Sequence, residues 1–359
     1  MKKRLLALGL VLAMAMTTVA CGSKKEEAAA PATTETKTET EAPAVEAGEA
    51  ASAEVTGDTM TISLFAGSIA ENTPTGQAMA VMTDYINENS NGTITAEAFY
   101  DTALGDATSM VQGLQQGTID IGVSGTAYFS GLIPEIEVFQ LPFLFGSLEE
   151  AREATAGPVA DKINKMFEEV GIVGLSFWEN GFRELSNNVR PVVEPADLEG
   201  IKMRTLPSEI QVATWSAMGA MTATIDAAEL YTALQQGTVD AQDNPLHEIV
   251  SRKFYEVQPY ITLTDATYTP FYMAMSKATW DRMSESQQAL IVEAAAVGRA
   301  YQHECNEVAT EEAVAVLEEA GCEIVEANKA AFQEIAQSTW TLFTDKYGTE
   351  LLDEIQANK

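Results

Sequence analysis

Two arginines and one asparagine lie where predicted strands give way to turns or helices. Arg204 ends a short predicted strand and precedes a helix predicted over residues 208–218, and Arg183 follows another predicted strand. A planar guanidinium matches a carboxylate through two parallel hydrogen bonds. The amide of Asn244 both donates and accepts hydrogen bonds, so it suits a ligand carboxylate or hydroxyl. These residue types suit the binding of a carboxylate group.

Each of these residues also has a structural alternative. Arg204 could form a surface salt bridge, Arg183 could form a hinge ion pair with a Glu or Asp, and Asn244 could be a turn residue ahead of Pro245. Trp178 ends a predicted strand, where it packs either on a ligand or in the core.

Little in the sequence indicates catalysis. The two histidines, His247 and His303, form no HExxH or other metal-ligand spacing, and no GxSxG or phosphate-binding loop is present. We therefore expect no enzyme activity, no cofactor and no resident metal. An extracytoplasmic acidic enzyme is the weaker alternative, and a divalent ion beside a bound anion remains open.

The charge of the chain restricts its partners. The 359 residues are 46% hydrophobic, as in globular proteins, and 53 acidic residues outnumber 21 basic ones, for a net charge of −32. Nucleic-acid binding needs a basic surface, so we expect no nucleic-acid partner. Such a charge favours a body exposed to solvent.

A seven-residue phrase occurs twice, 120 residues apart. It reads LQQGTID over Leu114–Asp120 and LQQGTVD over Leu234–Asp240. In both copies a helical run ends in Gly, which suits the left-handed conformation after a helix, and a strand start follows. The repeat indicates two similar α/β lobes, each sending a strand toward a shared cleft, although a chance match of a common helix ending is the alternative.

Strand and helix patterns alternate along the body, which indicates an α/β fold. The first strand is predicted over Thr59–Phe65. The nearly apolar run Ile119–Ser124 is typical of a strand covered on both faces. A single long helix is predicted over residues 285–320.

The first 20 residues have the features of a lipoprotein signal peptide. A basic start precedes an apolar run that is too short for a spanning helix. Cys21 follows Thr18-Val-Ala20, which resembles the motif in which the cysteine is lipidated, with Thr18 in place of the usual Leu. An ordinary signal peptide cleaved nearby is the alternative.

Residues 21–57 are predicted to form a disordered acidic tether. They are rich in Ala, Glu, Thr and Pro and lack a hydrophobic period, so they cannot bury enough surface to become ordered. The body that follows has 15 basic and 45 acidic residues, a net charge of −30. A lipid, a tether and a body indicate a protein held at the outer face of a membrane.

Two cysteines remain in the body. Cys305 falls in the predicted long helix and Cys322 begins the strand after it. At 1.5 Å per residue their sulfurs would lie roughly 25 Å apart, which is beyond disulfide reach. We expect two buried free thiols.

Several phrases together resemble the DctP-type extracytoplasmic solute-binding proteins of TRAP transporters, here in the form of a bacterial lipoprotein. The resemblance covers roughly residues 58–350. The matching phrases are Ala103-Leu-Gly105, Leu114–Asp120, Leu141-Pro-Phe-Leu-Phe145, Asp197-Leu-Glu-Gly-Ile-Lys-Met-Arg204, Gly219-Ala220, Glu229 through Pro245, and Lys253-Phe-Tyr-Glu-Val-Gln258.

The resemblance implies a two-lobed fold like that of periplasmic binding proteins, with a central cleft, crossing hinge strands and a long helix spanning both lobes. Lobe I would comprise 58–181 plus 270–309, and lobe II 182–269 plus 310–359. The crossings would fall at Trp178–Arg183 and Tyr268–Tyr272. The lobes of such folds close on a ligand by a hinge.

The family also implies roles for residues of the cleft. The Arg of the phrase ending at Arg204 holds the ligand carboxylate, and many members place an arginine at the position of Arg183. Glu71 and Asn72 lie on the first strand–helix loop, where lobe I of the family contacts the ligand. Some relatives carry an aromatic residue near Ala227, and its absence here leaves the substrate class open.

We therefore expect a monomeric receptor that captures a small organic acid and delivers it to separate TRAP permease subunits. The acid would be a dicarboxylate or a hydroxylated monocarboxylate. The receptor would be lipid-anchored at the extracytoplasmic face of the cell membrane. The alternative is a lipoprotein that presents its ligand to a sensor kinase or chemoreceptor.

Overall fold

The structure is a computed structural model and describes residues 54–357. The predicted signal peptide, Cys21 and most of the predicted tether lie outside these residues. The last part of that tether was predicted wrongly, because Val55 packs against the core and Thr56 accepts a hydrogen bond from Ser286 at 2.9 Å. Within residues 54–357 no helix combines the length and apolarity needed to cross a membrane.

In this part of the chain nine strands form one sheet. They are β1 (Met60–Gly67), β2 (Ile94–Asp101), β3 (Ile121–Gly125), β4 (Ile172–Asn187), β5 (Lys202–Thr205), β6 (Met221–Thr224), β7 (Ala241–Asn244), β8 (Tyr260–Ser276) and β9 (Glu323–Glu326).

Helices alternate with these strands, which confirms the α/β class. They are α1 (Pro74–Asn89), α2 (Ala107–Gln116), α3 (Leu148–Ala156), α4 (Pro158–Glu169), α5 (Glu209–Ala217), α6 (Leu230–Gln235), α7 (Leu246–Ser251), α8 (Lys277–Trp280), α9 (Glu285–Glu319), α10 (Lys329–Ala336), α11 (Trp340–Tyr347) and α12 (Glu350–Ala357).

The strand order of the sheet is nearly symmetric. It runs β2-β1-β3-β8-β4-β7-β5-β6, with β9 pairing β8. On one side β1 lies parallel to β2 and β3, and on the other β5 lies parallel to β6 and β7. We call the β1–β3 side the first lobe and the β5–β7 side the second lobe. The bounds of the lobes within β4, β8 and α9 remain a prediction.

Both copies of the repeated phrase fold in the same way. Gly117 and Gly237 adopt φ angles of 75° and 68°, the left-handed conformation in which a residue with a side chain is strained. The residue after each glycine then donates a hydrogen bond back into the helix, from Thr118 in the first copy and Thr238 in the second, both at 2.9 Å. The predicted duplication is confirmed in the fold.

The aspartate that ends each copy joins two neighbouring strands. Asp120 accepts from the backbone N–H of Ser63 at 2.8 Å, and Asp240 accepts from that of Lys202 at 3.1 Å. Each carboxylate therefore links a repeat strand to the parallel strand beside it, β3 to β1 and β7 to β5.

The middle of the sheet is an antiparallel pair, β4 and β8, that runs through both lobes. Trp178 pairs with Phe271, and Phe182 pairs with Tyr268, where crossing strands were predicted. The register shifts between Glu179 and Gly181. Gly181 has a φ of 122°, so the ladder is interrupted where a hinge is expected.

Helix α9 spans both lobes, as predicted. A capping box between Ser284 and Gln287 fixes its start. Over 35 residues it extends about 52 Å, and it packs on α1 of the first lobe, on β4 and on α7 of the second.

The two cysteines are free, as expected, but they are not buried. Cys305 and Cys322 are both partly exposed. Cys305 lies at the edge of the buried face of α9, beside the exposed Glu304, and Cys322 lies just beyond the end of that helix. Neither position is fully enclosed by the core, so the predicted burial of the two thiols is wrong.

Candidate functional site

A small cavity of about 30 Å³ lies between the two lobes. Three arginines surround it, although each comes from a different element. Its polar wall includes Ser68, Asn180, Arg183, Arg204, Asn244 and Arg252. Volume on this scale holds about one or two waters, so the cleft is closed.

Arg204 lies on β5 and is only 1% exposed. Its Nε donates to the carbonyl of Ile225 at 2.8 Å, whereas its Nη2 is buried without a partner. Among residues 54–357 no carboxylate lies within ion-pair distance of it. Burial lowers the pKa of Arg204, and the charges of Arg183 and Arg252 act in the same direction. A buried cation of this kind is stabilised by an incoming anion.

Arg183 lies on β4 and is already partly neutralised. Its Nε lies 2.7 Å from Oδ2 of Asp243, and its Nη2 donates to the backbone carbonyl of the same residue. Both side chains are 1% exposed. The hinge ion pair considered for Arg183 is therefore present, and the same guanidinium also lines the cavity.

Sequence reasoning missed Arg252, which follows α7. Its Nε is paired with Glu248, and its Nη2 donates to the backbone carbonyl of Ser68 at 2.7 Å. The spacing of four residues from Glu248 on a helix was the signal that could have drawn attention to it. Arg252 brings a third guanidinium to the cleft and connects the second lobe to the first.

Two asparagines contribute amides to the cavity. Asn244, at the end of β7, donates to Oε1 of Gln242 and lines the wall, and its contact with a ligand stays a prediction. Asn180, which sequence reasoning did not select, lies in the interrupted part of β4. It is 4% exposed, and its Oδ1 has no partner.

The structure does not bring Trp178, Glu71 or Asn72 to this cavity. Trp178 is 1% exposed within the core, and its Nε1 donates to the carbonyl of Ala295 at 3.2 Å. Trp178 therefore packs in the core and does not reach a ligand in this cavity. Glu71 and Asn72 are exposed. The loop after β1 instead reaches the wall through Ser68, because the chain turns there at a φ of 59°.

Hydrogen bonds across the cleft hold the lobes together. Ser68 donates from Oγ to Asp226 Oδ1 at 2.9 Å, and the backbone N–H of Ala227 donates to the hydroxyl of Tyr128 at 3.1 Å. With the contact from Arg252 to Ser68, they join the loop after β1 and the turn after β3 to the second lobe. These contacts define a closed state that must open for a ligand to enter.

The charges of the cleft indicate what it can bind. Asp243 pairs with Arg183 and Glu248 pairs with Arg252, so Arg204 alone of the three arginines that line the cavity has no ion pair. Amides and hydroxyls supply the rest of the polar wall. The site suits one carboxylate surrounded by hydroxyl groups.

Comparison with known proteins agrees with this chemistry. The family model "Bacterial extracellular solute-binding protein, family 7" (DctP) matches residues 65–346. The 2,3-diketo-L-gulonate-binding periplasmic protein YiaO of Escherichia coli is 36% identical over 243 residues, covering 67% of this chain and 74% of that protein.

Two solved structures are similar over almost their whole length. The sugar acid binding protein of Advenella mimigardefordensis, in complex with galactonate, is 32% identical with a TM-score of 0.81, covering 84% of this chain and 98% of that one. A TRAP periplasmic solute-binding protein of Polaromonas, bound to D-erythronate, is 28% identical with a TM-score of 0.80, covering 84% and 99%.

Proposed function

The chain belongs to family 7 of the bacterial extracellular solute-binding proteins, the DctP family, and from this premise we propose that it binds a hydroxylated monocarboxylate between its lobes. It receives the acid in an open state, closes over it and delivers it to TRAP permease subunits. No part of this cycle requires chemistry on the ligand.

One observation carries the proposal: the buried guanidinium of Arg204 has a free Nη2 and no carboxylate partner in the described part of the chain. A charge-assisted hydrogen bond to a buried charge contributes about 1.5–3 kcal/mol. A ligand carboxylate would supply both the missing acceptor and the missing charge. Arg204 is therefore the anchor of the clamp, and Arg183 and Arg252 support it.

The count of free charges favours one carboxylate over two. A dicarboxylate would bring two negative charges to a cleft that offers one uncompensated cation, so its second carboxylate would be buried at a cost. Hydroxyl groups would instead be met by Asn180, Asn244 and Ser68, which line the cavity. The ligands of the two similar structures, galactonate and D-erythronate, are of this kind.

The proposed location follows from the N-terminal residues. Lipidation at Cys21 would hold the body at the extracytoplasmic face of the membrane, within reach of a permease. One cleft is complete within one chain, and this fits a receptor that acts as a monomer.

Thermal unfolding with a panel of acids tests the proposal. A ligand at 100 times its Kd adds about 2.7 kcal/mol, which raises the midpoint by about 4 °C in a protein of this size. We expect such a shift for an aldonate and a smaller one for succinate. Arg204→Ala should abolish it.

Arg282→Ala is the matched control, because Arg282 is an exposed arginine that lies outside the cleft. Its shift should equal that of the wild type. A full shift that persists in Arg204→Ala would refute the clamp, and a larger shift with succinate than with any aldonate would refute the substrate class.

A further inference from the structure

The charged groups of the cleft come from the second lobe and from the crossing strand β4. Arg204 lies on β5 and Arg252 follows α7. In the first lobe, Glu71 and Asn72 do not line the cavity. A ligand shifts the lobes toward the closed state only if it binds that state more tightly. A contact from the first lobe that forms on closure would provide this difference in affinity.

Three side chains of the first lobe bring hydroxyl groups to the cavity: Ser68, Ser124 and Tyr128. A hydroxyl has one proton to donate, and the two serines have already used theirs. Ser68 Oγ donates to Asp226 Oδ1 at 2.9 Å, and Ser124 Oγ donates to the backbone carbonyl of Gly67 at 3.1 Å. Neither serine therefore has a proton to offer to a bound anion.

The hydroxyl of Tyr128 still has its proton to donate. Tyr128 lies in the turn Thr126–Phe129 after β3, and its Oη accepts from the backbone N–H of Ala227 in the second lobe at 3.1 Å. Within residues 54–357 no acceptor for its own proton lies at hydrogen-bond distance. Burial raises the pKa of Tyr128, so the phenol keeps this proton at neutral pH.

The segment after β6 brings this hydroxyl and Arg204 to the same place. Arg204 Nε donates to the carbonyl of Ile225 at 2.8 Å, and the N–H of Ala227, two residues further along, donates to Tyr128. Arg204 and Tyr128 both line the cavity of about 30 Å³, which holds about one or two waters. A carboxylate that binds the free Nη2 of Arg204 would therefore lie beside the proton of Tyr128.

We propose that Tyr128 is the first-lobe contact of the ligand carboxylate and that its hydroxyl couples ligand binding to closure. This role rests on the proposed function, in which Arg204 anchors the carboxylate. The phenol donates to the carboxylate while it accepts from Ala227 across the cleft. Hydrogen bonds in a chain polarise one another, so the ligand contact strengthens the contact that holds the lobes closed.

Isothermal titration of the mature protein with D-erythronate and with galactonate tests this contact. Tyr128→Phe removes the hydroxyl and keeps the ring, which belongs to a buried apolar cluster. We expect this variant to bind both acids at least about tenfold more weakly, because a hydrogen bond to a charged group is lost. Tyr260→Phe is the matched control, since Tyr260 is half-buried at the start of β8 and does not line the cavity. Its affinity should stay within about twofold of the wild type.

Replacing Tyr128 by 3-fluorotyrosine separates a ligand contact from a closure contact. Fluorine makes a phenol a stronger hydrogen-bond donor and a weaker acceptor. A hydroxyl that donates to the carboxylate should therefore bind the acid at least as tightly after fluorination. A hydroxyl that only accepts from Ala227 should bind it more weakly.

The outcomes distinguish this role from the proposed function. Wild-type affinity in Tyr128→Phe would refute the role of Tyr128 and leave the proposed function standing. Weaker binding by both the phenylalanine and the fluorotyrosine variants would show that the hydroxyl serves closure alone. If neither acid binds the wild type, the proposed function fails, and the role of Tyr128 fails with it.

Discussion

At the scale of single residues, a side chain that the cleft needs for ligand binding lowers the stability of the ligand-free protein. Arg204 is a buried cation with a free Nη2, and such a group costs folding free energy until a ligand arrives. We predict that Arg204→Met raises the unfolding midpoint of the ligand-free protein by about 2 °C, corresponding to about 1 kcal/mol. The same variant should lose all stabilisation by acids. A lower midpoint without ligand would contradict the argument.

Glu184 should make stability depend on pH. Its pKa is raised from 4.5 to about 8 in the folded protein by burial and by Asp265. Between these two values the folded state holds a proton that the unfolded state has lost. Stability from this group is therefore greatest at low pH and decreases as pH rises toward about 8, by up to about 1.4 kcal/mol per unit.

Glu184→Gln tests this prediction because the amide keeps an oxygen for the N–H groups of Thr264 and Asp265. We expect the variant to be more stable than the wild type near pH 8 and the difference to decrease toward about pH 5. Urea denaturation at a series of pH values measures it. A difference that is constant with pH would show that Glu184 does not titrate in this range.

At the scale of elements, local sequence predicted the units of the fold better than the walls of the site. Gly117 and Gly237 carry their signal in the residue type, because only glycine adopts their conformation without strain. Strand β4 was predicted to end near Trp178 but continues to Asn187. Its second half is extended because it pairs with β7 and β8, and such long-range pairing is not encoded locally.

The site residues show the same division. Arg204 and Asn244 were found because they belong to family phrases at the ends of strands. Arg252 was missed because its role depends on Ser68, which is 184 residues away in the chain. Glu71 and Asn72 were misplaced relative to the cavity because the loop turns at Ser68 and directs the residues after it to the surface.

Helix α9 supports the hinge through a glycine. A Cβ added to Gly298 would lie 2.7 Å from Cζ2 of Trp178, and this indole is fixed by its hydrogen bond to Ala295. Alanine would gain up to about 1 kcal/mol in helix propensity, but overpacking a core costs about 1–3 kcal/mol. We predict that Gly298→Ala destabilises the protein by about 1–2 kcal/mol.

A double-mutant cycle isolates this contact. Trp178→Phe removes the ring atoms that approach Gly298, so the double variant should be more stable than the sum of the two single effects predicts. Urea denaturation of the four proteins measures the difference. Additive effects would show that the close approach to Trp178 is not what requires glycine.

At the scale of the whole molecule, the shape of the sheet explains how one chain makes a closing cleft. The two parallel halves, β2-β1-β3 and β7-β5-β6, form the two sides of the sheet. The strands β8 and β4 lie between them and join them. The polar groups of each half therefore meet at the antiparallel pair. The extra residues after the second repeat copy make the cleft asymmetric, because Asp243 pairs with Arg183 and Asn244 lines the wall.

The net negative charge of the protein is opposite in sign to the charge of Arg204 in the cleft. Changing the salt concentration distinguishes the effects of these two charges on binding. The body carries −30, which repels an approaching anion over a distance set by the Debye length, about 20 Å in dilute buffer and about 8 Å at physiological salt. The contact with Arg204 is buried and is screened much less. Surface repulsion therefore acts mainly on association, whereas the clamp acts on dissociation.

We predict that the association rate constant of an aldonate rises with ionic strength, by about twofold or more between dilute buffer and physiological salt, while the dissociation rate constant changes little. Stopped-flow tryptophan fluorescence measures both rates, and repeating the series with choline chloride in place of potassium chloride controls for specific ion effects. An association rate that falls with salt would mean that the three arginines of the cleft attract the ligand more strongly than the acidic surface repels it. That result would mean that the electrostatic attraction guiding the ligand comes from the cleft. The role of Arg204 in holding the carboxylate would still be tested by Arg204→Ala.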